Sequence, residues 1–152
     1  MRDVGYQHLS AALALLAACS ATAPNEGLEA TVTLDRERLV RGDALTITVA
    51  VAGGILQGSG TCLTGYNVLD AAGRIVAPGD VVCTADLVTR RVGDRPYVRQ
   101  FTWSGHTGSG TNGAPLPAGI YRIVGGAGAP GQIEGSVSAP VGVELVDPDA
   151  PS

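Results

Sequence analysis

Histidine serves proton transfer and metal binding near neutral pH, and this sequence contains only two histidines, His8 and His106. His106 lies in a glycine-rich stretch between Ser104 and Ser109, so a Ser-His-Asp arrangement can be written on paper. The sequence lacks the Gly-x-Ser-x-Gly motif that places a nucleophilic serine on a strand-to-helix turn. We therefore predict that His106 is a solvent-facing loop residue. No catalytic residue is assigned, and the chain is not expected to be an enzyme.

Metal binding is the second chemistry that these residue types allow. Cys62, Cys83 and His106 form one candidate set of ligands. A zinc site of this kind needs a fourth ligand, and its ligands usually include closely spaced Cys or His pairs, which this sequence lacks. No metal and no cofactor are predicted.

Two segments, residues 108–113 and 126–131, match the Gly-x-Gly-x-x-Gly pattern of dinucleotide-binding loops. Neither segment opens a predicted helix, so neither presents a row of backbone amides to a phosphate. A chain with 22 glycines is expected to contain such matches by chance. Both segments are predicted to be loops.

All basic side chains are arginines, and the formal net charge is −4, which argues against a nucleic-acid partner. The arginines form two clusters in the sequence: Arg36, Arg38 and Arg41, and Arg90, Arg91, Arg95 and Arg99. One interpretation is a binding patch for an acidic partner. The alternative is that the arginines form local surface ion pairs with Asp35, Glu37, Asp86 or Asp94. Each such pair contributes little to stability.

The N-terminal segment has the features of an export signal. Residues 1–8 are polar, with Arg2 as the only basic side chain, and residues 9–18 form an almost unbroken apolar run. This run is too short to cross a bilayer as a helix, but it suits the hydrophobic region of a signal peptide. It ends in Leu16-Ala17-Ala18-Cys19, which resembles the lipobox of bacterial lipoproteins. In that family the cysteine thiol receives a diacylglyceryl group and the cysteine becomes the N-terminal residue.

The lipobox resemblance implies a location and a domain layout. Residues 1–18 are the signal peptide, residues 19–27 the lipidated N-terminus and a flexible tether, residues 28–147 the folded domain, and residues 148–152 a tail. Two or three acyl chains, at about 0.8 kcal/mol per buried methylene, anchor a protein stably. Ser20 after the cysteine favours the outer membrane if the host has two membranes. The alternatives are an ordinary cleaved signal with a chance cysteine, or a wrongly assigned start codon.

Cys62 and Cys83 remain once Cys19 is lipidated. In an exported domain a pair of cysteines is expected to be oxidised. A disulfide that closes this loop stabilises by about 3 kcal/mol in the chain-entropy model. We therefore predict a Cys62–Cys83 disulfide, with the metal site as its alternative.

The rest of the chain has the composition and periodicity of strands. Val and Thr are abundant, and both pack well on a pleated sheet. Turn residues separate short strand-like segments at residues 28–34, 44–52, 62–69, 74–76, 81–88, 98–103 and 120–124, with a last one within 137–146. We predict an all-β fold, a single antiparallel Ig-like β-sandwich of about seven to eight strands.

In the second half of the sequence, an aromatic strand ends in Trp103, a glycine-rich loop follows, and then comes Pro117-Ala118-Gly119-Ile120-Tyr121. This order of features is similar to the intracellular proteinase inhibitor (BsuPI-type) family and related bacterial Ig-like domains. In a Pro-x-Gly-x-Tyr turn, proline fixes one dihedral, glycine accepts an unusual one, and the tyrosine ring enters the core while its hydroxyl reaches the backbone. Trp103, Gly119 and Tyr121 are therefore predicted to be structural core residues.

These observations lead to a functional expectation. The chain is predicted to be a bacterial envelope lipoprotein, held to the membrane through Cys19, whose Ig-like domain has a structural or protein-binding role. The family resemblance implies proteinase inhibition as the alternative, with a protease as partner. No reactive-site loop carries over from the family residue by residue, and on this hypothesis we expect an extended, rigid loop at residues 105–117. A hydrolase or metal-binding module is the third possibility.

Overall fold

The structure is a computed structural model that describes residues 25–79, 82–108, 113–129 and 131–149. Every regular element in these residues is a β-strand. The strands are β1 Glu29–Leu34, β2 Arg38–Val40, β3 Leu45–Ala52, β4 Gly54–Ser59, β5 Thr64–Leu69, β6 Ile75–Pro78, β7 Leu87–Val92, β8 Tyr97–Trp103, β9 Gly119–Ala129, β10 Gln132–Val137 and β11 Val141–Val146. The predicted all-β fold class is confirmed, although the described strands outnumber the predicted seven to eight.

The first sheet has the order β1-β3-β8 and is antiparallel throughout. Its strands alternate between buried and more exposed residues, as β3 shows most clearly. Because side chains point to opposite faces in turn, one apolar set from each strand lines the inner face. On β3 this set is Leu45, Ile47, Val49 and Val51, as the sequence pattern predicts.

The second sheet has the order β2-β11-β9-β5-β6, and β10 pairs with the final third of β9. All of its pairings are antiparallel except β2 with β11, which is parallel. Between β10 and β11 the ladder is interrupted at Ser138, whose hydroxyl accepts a 3.0 Å hydrogen bond from the Gly125 amide. Pro140 follows this interruption, before β11 begins at Val141.

The two sheets pack face to face around one core, in the manner of an Ig-like sandwich. The inner faces approach most closely at Gly125 of β9. A Cβ atom placed there would lie 2.6 Å from Val32 and 2.9 Å from Val49 of the opposite sheet, so only glycine fits without a shift. We call the end of the sandwich near Glu29 and Ala52 the tether end, and the end near Leu34 and Leu45 the far end.

Beyond the tether end, β3 and β8 continue into a two-stranded antiparallel ribbon, β4 with β7. Between the last β3–β8 pair, Val51 with Tyr97, and the first β4–β7 pair, Gly54 with Val92, lie residues 52–53 on one side and 93–96 on the other. Gly53 has a φ of +93°, a conformation that other residues rarely adopt. The ribbon bends at this point, because two residues lie on one side of the gap and four on the other, and because Gly53 adopts this conformation.

Three segments differ from the prediction made from sequence. Residues 53–60 read as a loop because of their glycines, yet Gly54–Ser59 forms β4 because its backbone pairs with β7 along its length. The strand predicted over 81–88 is displaced, and β7 starts at Leu87. The glycine-rich segment that starts at residue 126 continues β9 to Ala129 and is therefore not a loop.

Candidate functional site

Trp103 lies in the core at the far end, with only 1% of its surface exposed. Its indole N–H donates a 2.9 Å hydrogen bond to the carbonyl oxygen of His106. Its ring meets that of Tyr121 edge-on, with centroids 6.1 Å apart and planes at 70°. This geometry suits the charge distribution of aromatic rings, so the pair fills and orients this end of the core.

Tyr121 closes the turn that precedes β9. Its hydroxyl donates a 2.8 Å hydrogen bond to the carbonyl oxygen of Pro117, and Gly119 between them has a φ of +157°. A tyrosine that bonds back to the backbone a few residues upstream is the tyrosine corner of Ig-like sandwiches. Burial, with a smaller effect from the negative charge of Asp70, raises the pKa of the Tyr121 hydroxyl. The hydroxyl is therefore held in the protonated form that donates this bond.

His106 is half-buried, in contrast to the solvent-facing residue expected from the sequence. Its Nδ1 lies 3.0 Å from the carbonyl oxygen of Ser104 and 3.2 Å from the Ser104 hydroxyl. A carbonyl only accepts, so Nδ1 carries the proton in this contact. The histidine backbone also forms a β-bridge with Pro115. His106 thus ties its loop together, and Ser109 lies outside the described residues.

Cys62 and Cys83 form a disulfide with an S–S distance of 1.98 Å and a Cα–Cα distance of 5.4 Å. It joins the segment after β4 to the segment before β7. Cys62 is buried, whereas Cys83 is exposed. The two thiols of the alternative Cys-Cys-His metal set are therefore bonded to each other, and the described ranges hold no group of three or more His, Cys, Asp or Glu that could hold a metal ion.

Hydrogen bonds around this disulfide hold the same two segments together. The Thr61 hydroxyl donates to the Val82 carbonyl at 2.7 Å and accepts from the Thr84 amide at 2.9 Å. The Gly60 amide donates to the Asp86 carbonyl at 3.0 Å. A hydrogen bond from the Thr84 hydroxyl is the main reason why the pKa of the Asp86 carboxyl is lowered. These bonds replace strand pairing at residues 82–86, which explains why β7 starts later than predicted.

The second arginine cluster lies at the bend of the ribbon. We call Arg90, Arg91 and Arg95 the arginine face. The Arg90 guanidinium carbon lies 5.1 Å from the centre of the Tyr97 ring, within range of a cation–π interaction. An open cavity of about 360 Å³ at this bend is lined by these arginines together with Val92, Pro96, Tyr97 and Val98. The lining thus includes three arginines and no acidic residue.

Arg99 belongs to the same sequence cluster but lies elsewhere. Its guanidinium is 5.1 Å from the centre of the Phe101 ring and donates a hydrogen bond to the Thr61 carbonyl. It shares the inner face of β8 with Tyr97, Phe101 and Trp103. Arg99 therefore braces the disulfide region and is not part of the arginine face.

The two arginine clusters differ in their pairing. The first cluster pairs locally, Arg36 with Asp35 at 3.2 Å, Arg38 with Glu144 at 3.7 Å, and Arg41 with Asp147. Among the residues whose placement the structure gives, no carboxylate forms an ion pair with the arginine face. Asp94, which the sequence offered as a partner, lies with Glu29 and Arg91 in a separate cavity of about 400 Å³.

The outer face of the first sheet is uncharged between Glu29, which is opposite Ala52 on this face, and Asp35, which follows β1. The strand register aligns small polar or apolar residues from β1, β3 and β8 there, and we call this set the threonine face: Thr31, Thr33, Thr46, Thr48, Ala50, Val98, Gln100 and Thr102. Val98 is 52% exposed. The alternation of β3 predicted that Thr46, Thr48 and Ala50 share a face. The residues that β1 and β8 add to the threonine face can be identified only from the strand register, which the sequence does not specify.

The remaining sequence predictions concern segments at or beyond the described ranges. Cys19 and residues 1–18 lie outside them, as do residues 109–112 of the first glycine motif. Within the described ranges, no helix has the length and apolar character needed to cross a membrane.

The chain matches no protein-family model and no curated protein sequence. Among solved structures, it is similar to the CARDB domain of the PF1109 protein from Pyrococcus furiosus, determined in complex with di-metal ions. The identity is 15%, the TM-score is 0.43, and the match covers 78% of this chain and 87% of that one. The assignment of an Ig-like sandwich therefore rests on the strand pairing and the tyrosine corner of this chain.

Proposed function

We propose that this protein is a lipid-anchored bacterial envelope protein whose Ig-like domain binds another protein and has no catalytic role. The anchor is supported by the Leu16-Ala17-Ala18-Cys19 lipobox at the end of the apolar run. In a host with two membranes, Ser20 favours the outer one. The lipid chains would hold the sandwich at the membrane surface.

The threonine face is the observation that carries the protein-binding role. It presents eight neighbouring uncharged positions on a three-stranded sheet, in a chain with 16% charged residues. Charged residues are depleted at the centres of protein–protein interfaces because they lose their hydration there. An uncharged sheet face with Val98 exposed beside Ala50 fits a partner surface of similar polarity.

Replacing Cys19 with alanine tests the anchor. We expect the wild-type protein to enter the detergent phase in a two-phase extraction and the Cys19→Ala variant to remain in the aqueous phase or as uncleaved precursor, because the acyl chains are missing. A mass measurement of the wild-type N-terminal peptide should show the added acyl groups. A variant that partitions and is cleaved like wild type would contradict the anchor.

A charge placed on the threonine face tests the binding role. We expect Thr48→Arg at the centre of this face to reduce the cross-linked partner recovered from the native envelope by at least about tenfold, since an unpaired buried charge costs several kcal/mol and about 1.4 kcal/mol already corresponds to a tenfold change in affinity. The matched control is Thr89→Arg on the exposed side of β7, which lies outside the threonine face. Equal recovery with both variants would remove the threonine face from the binding surface.

A second candidate function, proteinase inhibition of the BsuPI type, is favoured by the base of the loop at residues 105–117. The Leu116 amide donates to the Gly105 carbonyl and the Thr107 amide to the Ala114 carbonyl, both at 2.9 Å. Both ends of this loop are therefore held, as an inhibitory loop requires. Stoichiometric binding of a protease that is lost when residues 109–112 are replaced by glycine, but retained in Thr48→Arg, would assign this role instead.

A further inference from the structure

We propose that the arginine face binds the anionic phosphate headgroups of the membrane into which the acyl chains of Cys19 insert. This inference rests on the proposed lipid anchor. It adds an orientation: the ribbon of β4 and β7 lies against the bilayer, and the threonine face stays accessible to a partner.

The point where the chain enters the domain supports this orientation. The Asn25 amide donates a 2.9 Å hydrogen bond to the Ile55 carbonyl. The Asn25 side chain both donates to the Gln57 carbonyl and accepts from the Gln57 amide, each at 3.0 Å. Asn25 is thereby fixed to one edge of β4.

The other edge of β4 pairs with β7, which carries two members of the arginine face. Ile55 is opposite Arg91, and Leu56 is opposite Arg90. Adjacent strands lie about 4.8 Å apart, so the backbone of these arginines is about 10 Å from the entry of the tether. Asn25 lies six residues after Cys19 in the sequence, and a chain segment of six residues spans at most about 20 Å. The anchor thus keeps the arginine face close to the headgroups.

The chemistry of the cavity fits a phosphate. Arginine offers a planar fork of N–H donors that binds two phosphate oxygens at once. Stacking on Tyr97 holds Arg90 in place before any ligand binds, and the cavity of about 360 Å³ contains no competing carboxylate. Each arginine near an anionic bilayer surface typically strengthens binding by about fivefold.

Acidic groups at the tether end define which side of the ribbon would face the membrane. Glu29 and Asp94 line a second cavity, which shares Arg91 and Val92 with the first. The cavity of Arg90 and Arg95 is therefore basic, whereas the neighbouring one contains two acidic residues. An anionic surface attracts the first and repels the second, which selects one orientation of the domain.

Arginine modification in vesicles tests this orientation. The mature lipidated protein is placed in vesicles of phosphatidylcholine alone, or of phosphatidylcholine mixed with phosphatidylglycerol, and treated with a neutral dicarbonyl reagent. We expect Arg95 to react about fivefold more slowly in the anionic vesicles at low salt, and this protection to disappear at high salt because the attraction is screened. Arg74, which is exposed and lies on the β5–β6 turn, should react equally in both.

Two variants with the same change in charge complete the test. Arg90→Gln with Arg91→Gln should abolish the protection of Arg95, whereas Arg36→Gln with Arg38→Gln, away from the ribbon, should retain it. Equal reaction of Arg95 in both vesicle types, or protection that is insensitive to salt, would overturn the proposal. Protection that needs an added envelope protein would assign the arginine face to an acidic protein partner. Protein that fails to remain in either vesicle would instead contradict the lipid anchor.

Discussion

Trp103→Ala is expected to lower the free energy of unfolding by about 3–5 kcal/mol, out of the roughly 5–15 kcal/mol that holds a domain of this kind folded. The indole is almost fully buried, packs edge-on against Tyr121, and donates a hydrogen bond to the carbonyl oxygen of His106. The chain has one Trp and one Phe, so few other side chains can fill the vacated volume. Chemical denaturation followed by far-UV circular dichroism measures the effect, and Tyr121→Ala should behave similarly.

Two variants separate the contributions to this loss. His106→Ala keeps the backbone carbonyl that accepts the indole hydrogen bond and loses only the ring contacts with Ser104, so its stability should fall by about 1 kcal/mol, far less than in Trp103→Ala. Trp103→Phe keeps an aromatic ring but loses the N–H donor, and should fall between wild type and Trp103→Ala. If Trp103→Ala retained full stability but lost partner binding, Trp103 would be a contact residue, and its place in the core would be wrong.

Reduction of the Cys62–Cys83 disulfide is expected to cost about 3 kcal/mol, because the unfolded chain gains the entropy of an open loop. For a domain of this size, this corresponds to a fall in melting temperature of about 10 °C. Cys83 is exposed, so a reductant can attack its sulfur without prior unfolding. Thermal melts with and without reductant measure the difference.

The control for this prediction is the double variant Cys62→Ala, Cys83→Ala. It should melt at the temperature of the reduced wild type and should not respond to reductant. The bonds of Thr61 to Val82 and Thr84 remain in both proteins, so the two segments should stay together in the folded state. Two titratable thiols in unfolded, unreduced wild type would contradict the disulfide.

The sequence pattern predicts best where the structure depends on neighbours along the chain. The alternation of β3 is reproduced residue by residue because each side chain of an inner strand is either in the core or outside it. The sequence does not predict β4, because its glycines are typical of a loop. This segment forms a strand because it pairs with β7, which lies far from it in the sequence. The same holds for the glycines of β9, where Gly125 is needed for the close approach of the sheets.

The candidate surfaces show the same limit. The sequence identifies an arginine cluster, but it cannot show that Ile55 lies opposite Arg91 and that the chain enters beside both. It likewise predicts an outward set on β3, but not the threonines that β1 and β8 add to it. Both surfaces are created by strand register, which depends on contacts between residues far apart in sequence.

The parallel pairing of β2 with β11 has a consequence for how the molecule is made. Arg38 is opposite Glu144, so β2 can pair with β11 only after the strands between them have been synthesised. Contacts of such high sequence separation form slowly, because a long loop must close before they stabilise anything. A growing chain cannot complete this sheet until nearly all of it has been synthesised.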